Sequence, residues 1–159
     1  MSAFVGERVL RSHSFDLAMP LSAAFPLFEP EGERAWAPGW DPQYVYPADG
    51  RPEKGMVFVT DANDEETLWL VLRHEPGAGA VEYARVTPGN RVAIVRVQCD
   101  AIDAGSTRVT VSYEYTGLSE EGNAYVRSMD EGSYRAFIDS WGEMIRHHAI
   151  SAAFPRSFT

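Results

Sequence analysis

At 159 residues the chain has the length of one domain, 1–159, and can bury about 70% of the surface its unfolded form exposes. Hydrophobic residues make up 45% and charged residues 23%, the balance of a globular protein, and no apolar run reaches the length of a membrane span. A net charge of -9, with Lys54 as the only lysine, excludes the clustered basic surface that nucleic acid or an anionic membrane selects.

Val9 to Met19 sets Leu10, Phe15, Leu17 and Met19 between polar positions, which suits a first strand that Pro20 stops. Ser22 is placed to cap a short helix through Ala23, Ala24, Phe25 and Phe28, with Pro26 in its first turn. Pro30 and Gly32 break that helix, and Glu33 to Ala37 makes a second helical turn or two. Trp36-Ala37-Pro38-Gly39-Trp40 follows. Pro38 and Gly39 forbid regular helix here, so two large rings enter one irregular corner.

A series of strands comes next: Tyr44 to Tyr46, Gly55 to Asp61, Thr67 to Glu75, Ala80 to Thr87, Arg91 to Ile102, and Thr107 to Leu118. Short turns at Gly77-Ala78-Gly79, Pro88-Gly89-Asn90 and Asp103-Ala104-Gly105 make an antiparallel meander of the last four. Ser119 begins a lead-in helix carrying Tyr125 and Val126. Ser128-Met129-Asp130-Glu131 then has the pattern of a capping box, with Glu131 reaching back to the Ser128 amide. Tyr134, Phe137, Ile138, Trp141, Met144, Ile145 and His148 recur at three- and four-residue steps, the apolar face of a helix of about five turns that Pro155 ends. Cys99 stands alone and the first six residues lack a leader pattern, which fits a reducing, cytoplasmic setting.

The order strand, two short helices, a run of strands and one long helix predicts an α+β, helix-grip fold. A curved antiparallel sheet of about six or seven strands must cover its concave face, and only the C-terminal helix is long enough. Where a strongly curved sheet and a straight helix part, a cavity remains.

That order, with Met19 to Phe28, Gly32 to Trp40, Gly55 to Phe58, the strand around Trp69, Tyr83 to Pro88, Thr116 to Ser119 and the final helix with Trp141, resembles the Bet v 1-like, or START-like (SRPBCC), helix-grip superfamily. The bacterial polyketide cyclase/dehydratase-like branch is the nearer likeness. The resemblance covers nearly the whole chain and implies a fold and a ligand cavity. The superfamily includes lipid carriers, hormone receptors, cyclases and Hsp90 co-chaperones, so it brings no catalytic motif with it.

Trp36 and Trp40 either wall the cavity or plug the open end of the sheet as core. Glu33 beside them pairs with backbone or solvent, or is an acid–base group whose pKa burial raises; Arg34 can pair with it. On the last strand Val111, Tyr113 and Tyr115 share a face with Val109 that meets the long helix, where the phenols serve a ligand or the core edge. Tyr83 and Arg85 share a face with Val81; if it turns inward, Arg85 needs an acidic partner or an anionic ligand, and the opposite choice buries Glu82. Trp69 is placed inward by analogy with the resembled family, leaving Leu68, Leu70 and Leu72 as a contact surface for a partner or a homodimer. Phe137 and Trp141 face the cavity from the helix, with Trp141 as its floor.

Metal is not expected: His147 and His148 point about 100° apart on a helix, and His13 and His74 lack ligand spacing. No phosphate-cradling loop calls for a cofactor, and Cys99 packs as a small apolar residue. The first reading is a binding module for a small, largely apolar lipid, polyketide or aromatic molecule. An alternative is a cyclase, dehydratase or hydrolase using Glu33, Arg85, Tyr113 and Tyr115; another is an Hsp90-activator-like interaction protein.

Overall fold

A computed structural model describes residues 3–62 and 64–153 of the chain. Seven strands form one sheet: β1 (Arg8–Leu17), β2 (Gln43–Tyr46), β3 (Val57–Ala62), β4 (Glu65–Glu75), β5 (Ala80–Thr87), β6 (Arg91–Asp103) and β7 (Ser106–Gly117). Their spatial order, β1-β7-β6-β5-β4-β3-β2, is an antiparallel meander from β2 to β7 with β1 added beside β7. Helices α1 (Leu21–Ala24) and α2 (Pro30–Glu33) follow β1, and α3 (Glu120–Ser128) and α4 (Glu131–Ala153) follow β7. This is the expected helix-grip architecture. No helix among the described residues is long and apolar enough to cross a membrane.

Period-two alternation decides which side of each long strand is buried. On β7 the residues Val109, Val111, Tyr113 and Tyr115 are buried, and on β6 Ala93, Val95, Val97 and Cys99 are. Burial pushes the Cys99 thiol up to about 12, so it packs and does not react. On β5 Val81 and Tyr83 point inward, while Glu82 points out to Arg73 and Arg96. β4 turns Trp69 and Val71 inward. Leu68, Leu70 and Leu72 lie on the convex side, 44%, 39% and 36% exposed. Cross-strand pairing extends that side into two apolar rows, Val59–Leu68–Val86–Val92 and Val57–Leu70–Ala84–Ile94.

α4 buries Tyr134, Ile138 and Ile145 completely, and the Tyr134 hydroxyl donates to the Val111 carbonyl at 2.7 Å. Its axis lies nearest β1, and α3 lies nearest β7; neither helix backbone comes as close to β3, β4 or β5.

Several local expectations are corrected. Ser22 caps nothing: Pro20 is the cap of α1, and its carbonyl accepts from the Ala23 and Ala24 amides. Phe25–Phe28 is a separate 3-10 turn with Pro26 near its start. Pro30 begins α2 instead of breaking a helix, since a proline in the first turn sacrifices no hydrogen bond. Gly32 lies inside α2; a Cβ there would come within 1.8 Å of the Pro26 carbonyl oxygen, so this glycine permits a close backbone approach. Regular helix stops at Glu33, and residues 34–36 continue as i→i+3 turns. The capping box also fails. Ser128 closes α3, its hydroxyl donating to the Tyr125 carbonyl, and Asp130 caps α4 by accepting from the Ser133 amide at 2.8 Å. The Ser119 cap does form, accepting from the Gly122 amide. The helix stop at Pro155 lies outside the described residues.

Trp141 joins α4 to the rest of the core: its ring meets Trp36 at 5.7 Å, Phe137 at 5.5 Å and Tyr113 at 6.3 Å. Trp141→Ala is expected to lower stability by about 3–5 kcal/mol, whereas His147→Ala, on the exposed side of α4, changes it by less than about 0.5 kcal/mol. Urea midpoints of the two variants check this.

Candidate functional site

The corner after β1 is built by hydrogen bonds from the indoles to the chain that precedes them. Trp36 Nε1 donates to the Leu27 carbonyl at 2.8 Å, and Trp40 Nε1 donates to the Pro30 carbonyl at 2.7 Å. With both N–H groups satisfied, the rings turn their apolar faces to the concave side of the sheet. Trp36 leans on Trp141 of α4, and Trp40 meets Trp69 of β4 edge-on at 5.3 Å. Trp69 stacks on Phe58, its own Nε1 donating to Thr60 Oγ1 at 2.9 Å. The two tryptophans therefore serve as core and as wall at once.

Between these rings, the sheet and α4 lies a cavity of about 520 Å³, within the range that small-molecule sites occupy. Trp36, Trp40, Trp69, Phe137, Trp141 and Met144 supply its apolar surface, with Val95 and Val97 from β6. Its polar groups fall into two sets. Arg91 and Glu65 pair through both guanidinium Nη atoms, at 2.7 and 3.2 Å, and Arg91 stacks on Tyr125 at 3.7 Å. Glu33, Arg85 and Tyr113 form the other set.

Glu33 sits at the end of α2, half-buried, and lines the cavity. Burial pushes that carboxyl well above the usual carboxylate range, and Arg85 opposes the shift only in part. The Arg85 guanidinium lies over the Trp69 ring, 4.7 Å from its centroid, and no carboxylate among the described residues forms an ion pair with it. Burial pushes the Tyr113 phenol up to about 12, against the pull of Arg85. Arg91, by contrast, holds the Glu65 carboxyl below its ordinary range.

Of the residues singled out from sequence, Glu33, Trp36, Trp40, Trp69, Tyr83, Arg85, Tyr113, Phe137 and Trp141 line the cavity. Tyr83 contributes only its ring, because its hydroxyl donates to the Phe28 carbonyl at 2.6 Å. Val111 and Tyr115 do not reach the cavity. Both are fully buried, and Tyr115 stacks behind Tyr113 at 5.1 Å. Arg34 turns away from Glu33 and pairs with Glu31 and Asp41 outside. The Arg91–Glu65 pair, Tyr125 and Thr67 were not anticipated. Strand parity was the available signal, because Arg91 is in phase with the inward Ala93, Val95 and Val97. Among the described residues no cluster of His, Cys, Asp and Glu is arranged to hold a metal ion.

No protein-family model matches the sequence, and no curated protein matches it either. Solved structures do share the fold. Truncated norcoclaurine synthase from Thalictrum flavum superposes with a TM-score of 0.68 at 9% identity, over 99% of this chain and 100% of that one. The same enzyme in complex with dopamine and hydroxybenzaldehyde gives 0.64 at 12% identity, over 91% and 90%. The di-domain ARO/CYC BexL, from the BE-7585A biosynthetic pathway, gives 0.65 at 15% identity, over 92% of this chain and 48% of that one. The chain has the Bet v 1-like helix-grip fold, shared with norcoclaurine synthase and with the ARO/CYC BexL.

The state of Glu33 makes stability depend on pH. The folded protein keeps the Glu33 proton at pH values where the unfolded chain, with an ordinary glutamate near pH 4.5, has released it. Folding stability therefore falls as pH rises above the unfolded value, until the folded group also ionises. Glu33→Gln removes this penalty. Its urea midpoint is expected to exceed that of the wild type at pH 7, with the gain vanishing near pH 4.

Proposed function

We propose that the chain binds a small, largely apolar aromatic molecule in the cavity between the sheet and α4. The observation that carries this reading is the agreement between space and lining: about 520 Å³ bounded by indole and phenyl faces, with the N–H groups of Trp36, Trp40 and Trp69 already bonded elsewhere. Rings of this kind are costly to leave facing water, and a planar ligand covers them. The structural neighbours are consistent with it, since one was solved holding dopamine and hydroxybenzaldehyde. The described chain acts here as one ligand-holding unit, from the corner after β1 to the end of α4.

A second reading is favoured by Glu33. A protonated carboxyl facing the same cavity as Tyr113 and Arg85 is the arrangement a general acid requires. In that case the ligand is a substrate: the Glu33 proton passes to one of its oxygens or carbons, and Arg85 stabilises the carboxylate this leaves on Glu33.

Naphthalene-2-carboxamide is a suitable neutral probe. It is expected to bind once per chain by calorimetry and to quench tryptophan fluorescence. Val97→Phe, which extends a ring into the cavity from β6, is expected to weaken binding at least tenfold while circular dichroism shows it folded. Absence of binding to the wild type, or binding indifferent to Val97→Phe, overturns the assignment of ligand to this cavity.

A further inference from the structure

The two arginines on the cavity wall are in different chemical situations. Arg91 is 5% exposed, fully engaged by both oxygens of Glu65 and covered by the Tyr125 ring, so that pair adds no net charge. Arg85 has a ring beneath it and no carboxylate on its edge. It stands on β5 directly opposite Trp69 of β4 and Ala93 of β6, and its guanidinium carbon lies over the Trp69 indole at 4.7 Å from the ring centroid. The indole holds the guanidinium from one face, one edge reaches toward the Tyr113 hydroxyl, and the fork of five N–H donors exceeds what that single hydroxyl can take.

The groups beside Arg85 do not compensate its charge. Glu33 lines the same cavity, and burial raises its carboxyl well above the ordinary carboxylate range, which favours O–H over the O⁻ an ion pair needs, while Glu65 is already engaged by Arg91. Tyr113 also keeps its proton. The cavity therefore presents a half-buried guanidinium that has no ion-pair partner among the described residues, beside Glu33 and the Tyr113 hydroxyl. A cation on a cavity wall without a counterion of its own attracts an anion. A hydrocarbon would offer these groups no acceptor, and an aromatic amine would meet like charge. A planar acid meets both demands, its ring on the indoles and its carboxylate on the guanidinium fork.

We propose that the ligand of this cavity is an aromatic carboxylate, its ring held among Trp36, Trp40 and Trp69 and its carboxylate accepting hydrogen bonds from Arg85, with Tyr113 as a further donor. This rests on the reading of the cavity as a ligand site, and names the chemical class that site takes.

The test compares 2-naphthoate with naphthalene-2-carboxamide, two ligands of nearly equal shape that differ in charge, by calorimetry at pH 7 on the full chain. Wild type is expected to bind the acid about ten- to hundredfold more tightly than the amide, the range for a hydrogen bond to a charged group. Arg85→Gln is expected to erase that preference while its affinity for the amide moves less than about threefold, which also shows that the variant is folded. Equal binding of acid and amide to the wild type, or a preference that survives in Arg85→Gln, overturns the carboxylate assignment and leaves the ligand site standing. Binding of neither compound overturns the ligand site itself.

Discussion

One helix cannot cover seven strands. With neighbours about 4.8 Å apart, the seven-stranded sheet measures roughly 29 Å across before curvature, whereas a helix with its side chains is about 10–12 Å wide. α4 lies nearest β1 and α3 nearest β7, so the concave face toward β3, β4 and β5 must be covered by something else. Backbone cannot do it without leaving its own polar groups unpaired. Side chains can, and the chain uses its largest ones: Trp36 and Trp40 from the corner after β1, Trp69 and Phe58 from the sheet, and Trp141 from α4. Rings of this size, held edge to face, bridge the gap as an arch, and the space under the arch is the cavity.

The same constraint explains the polar groups. To bring Trp36 and Trp40 into place, α2 must run close against the 3-10 turn before it, which requires Gly32. That path puts Glu33 under the arch, half-buried in the cavity wall. Burial there pushes its carboxyl well above the ordinary carboxylate range. Arg85, supported by Trp69, then retains its charge uncompensated, while the Arg91–Glu65 pair braces another part of the wall as a self-contained unit. Packing, protonation and ligand chemistry thus follow from one mismatch in width.

Much of this was legible in the amino-acid order, and the exceptions have physical causes. β7 shows its faces plainly because its outward positions are Arg108, Thr110, Ser112 and Glu114. β4 does not, because its convex face belongs to an apolar surface of its own, so alternation between Leu68, Leu70 and Leu72 and Trp69 and Val71 carries no contrast. The capping box at Ser128 misled because two helices nearly abut: Ser128 belongs to the end of α3 and Asp130 to the start of α4, and both residue types serve either role. Arg91 stands beside a turn, where an arginine ordinarily faces solvent, yet its phase with Val95 carries it inward. Val111 and Tyr115 share the correct face, yet lie where sheet and helices already touch, a distinction that depends on curvature and leaves no mark on periodicity.

The claim on which the site rests is that Glu33 is neutral beside a charged Arg85. A carbon-13 NMR titration of the glutamate carboxyls, with Glu33 assigned by its absence in Glu33→Gln, observes this directly. The Glu33 resonance is expected to titrate well above the ordinary value of 4.5, remaining protonated while the exposed glutamates have ionised. A Glu33 that titrates at or below 4.5 would contradict the account, because Arg85 would then already have its counterion within the protein.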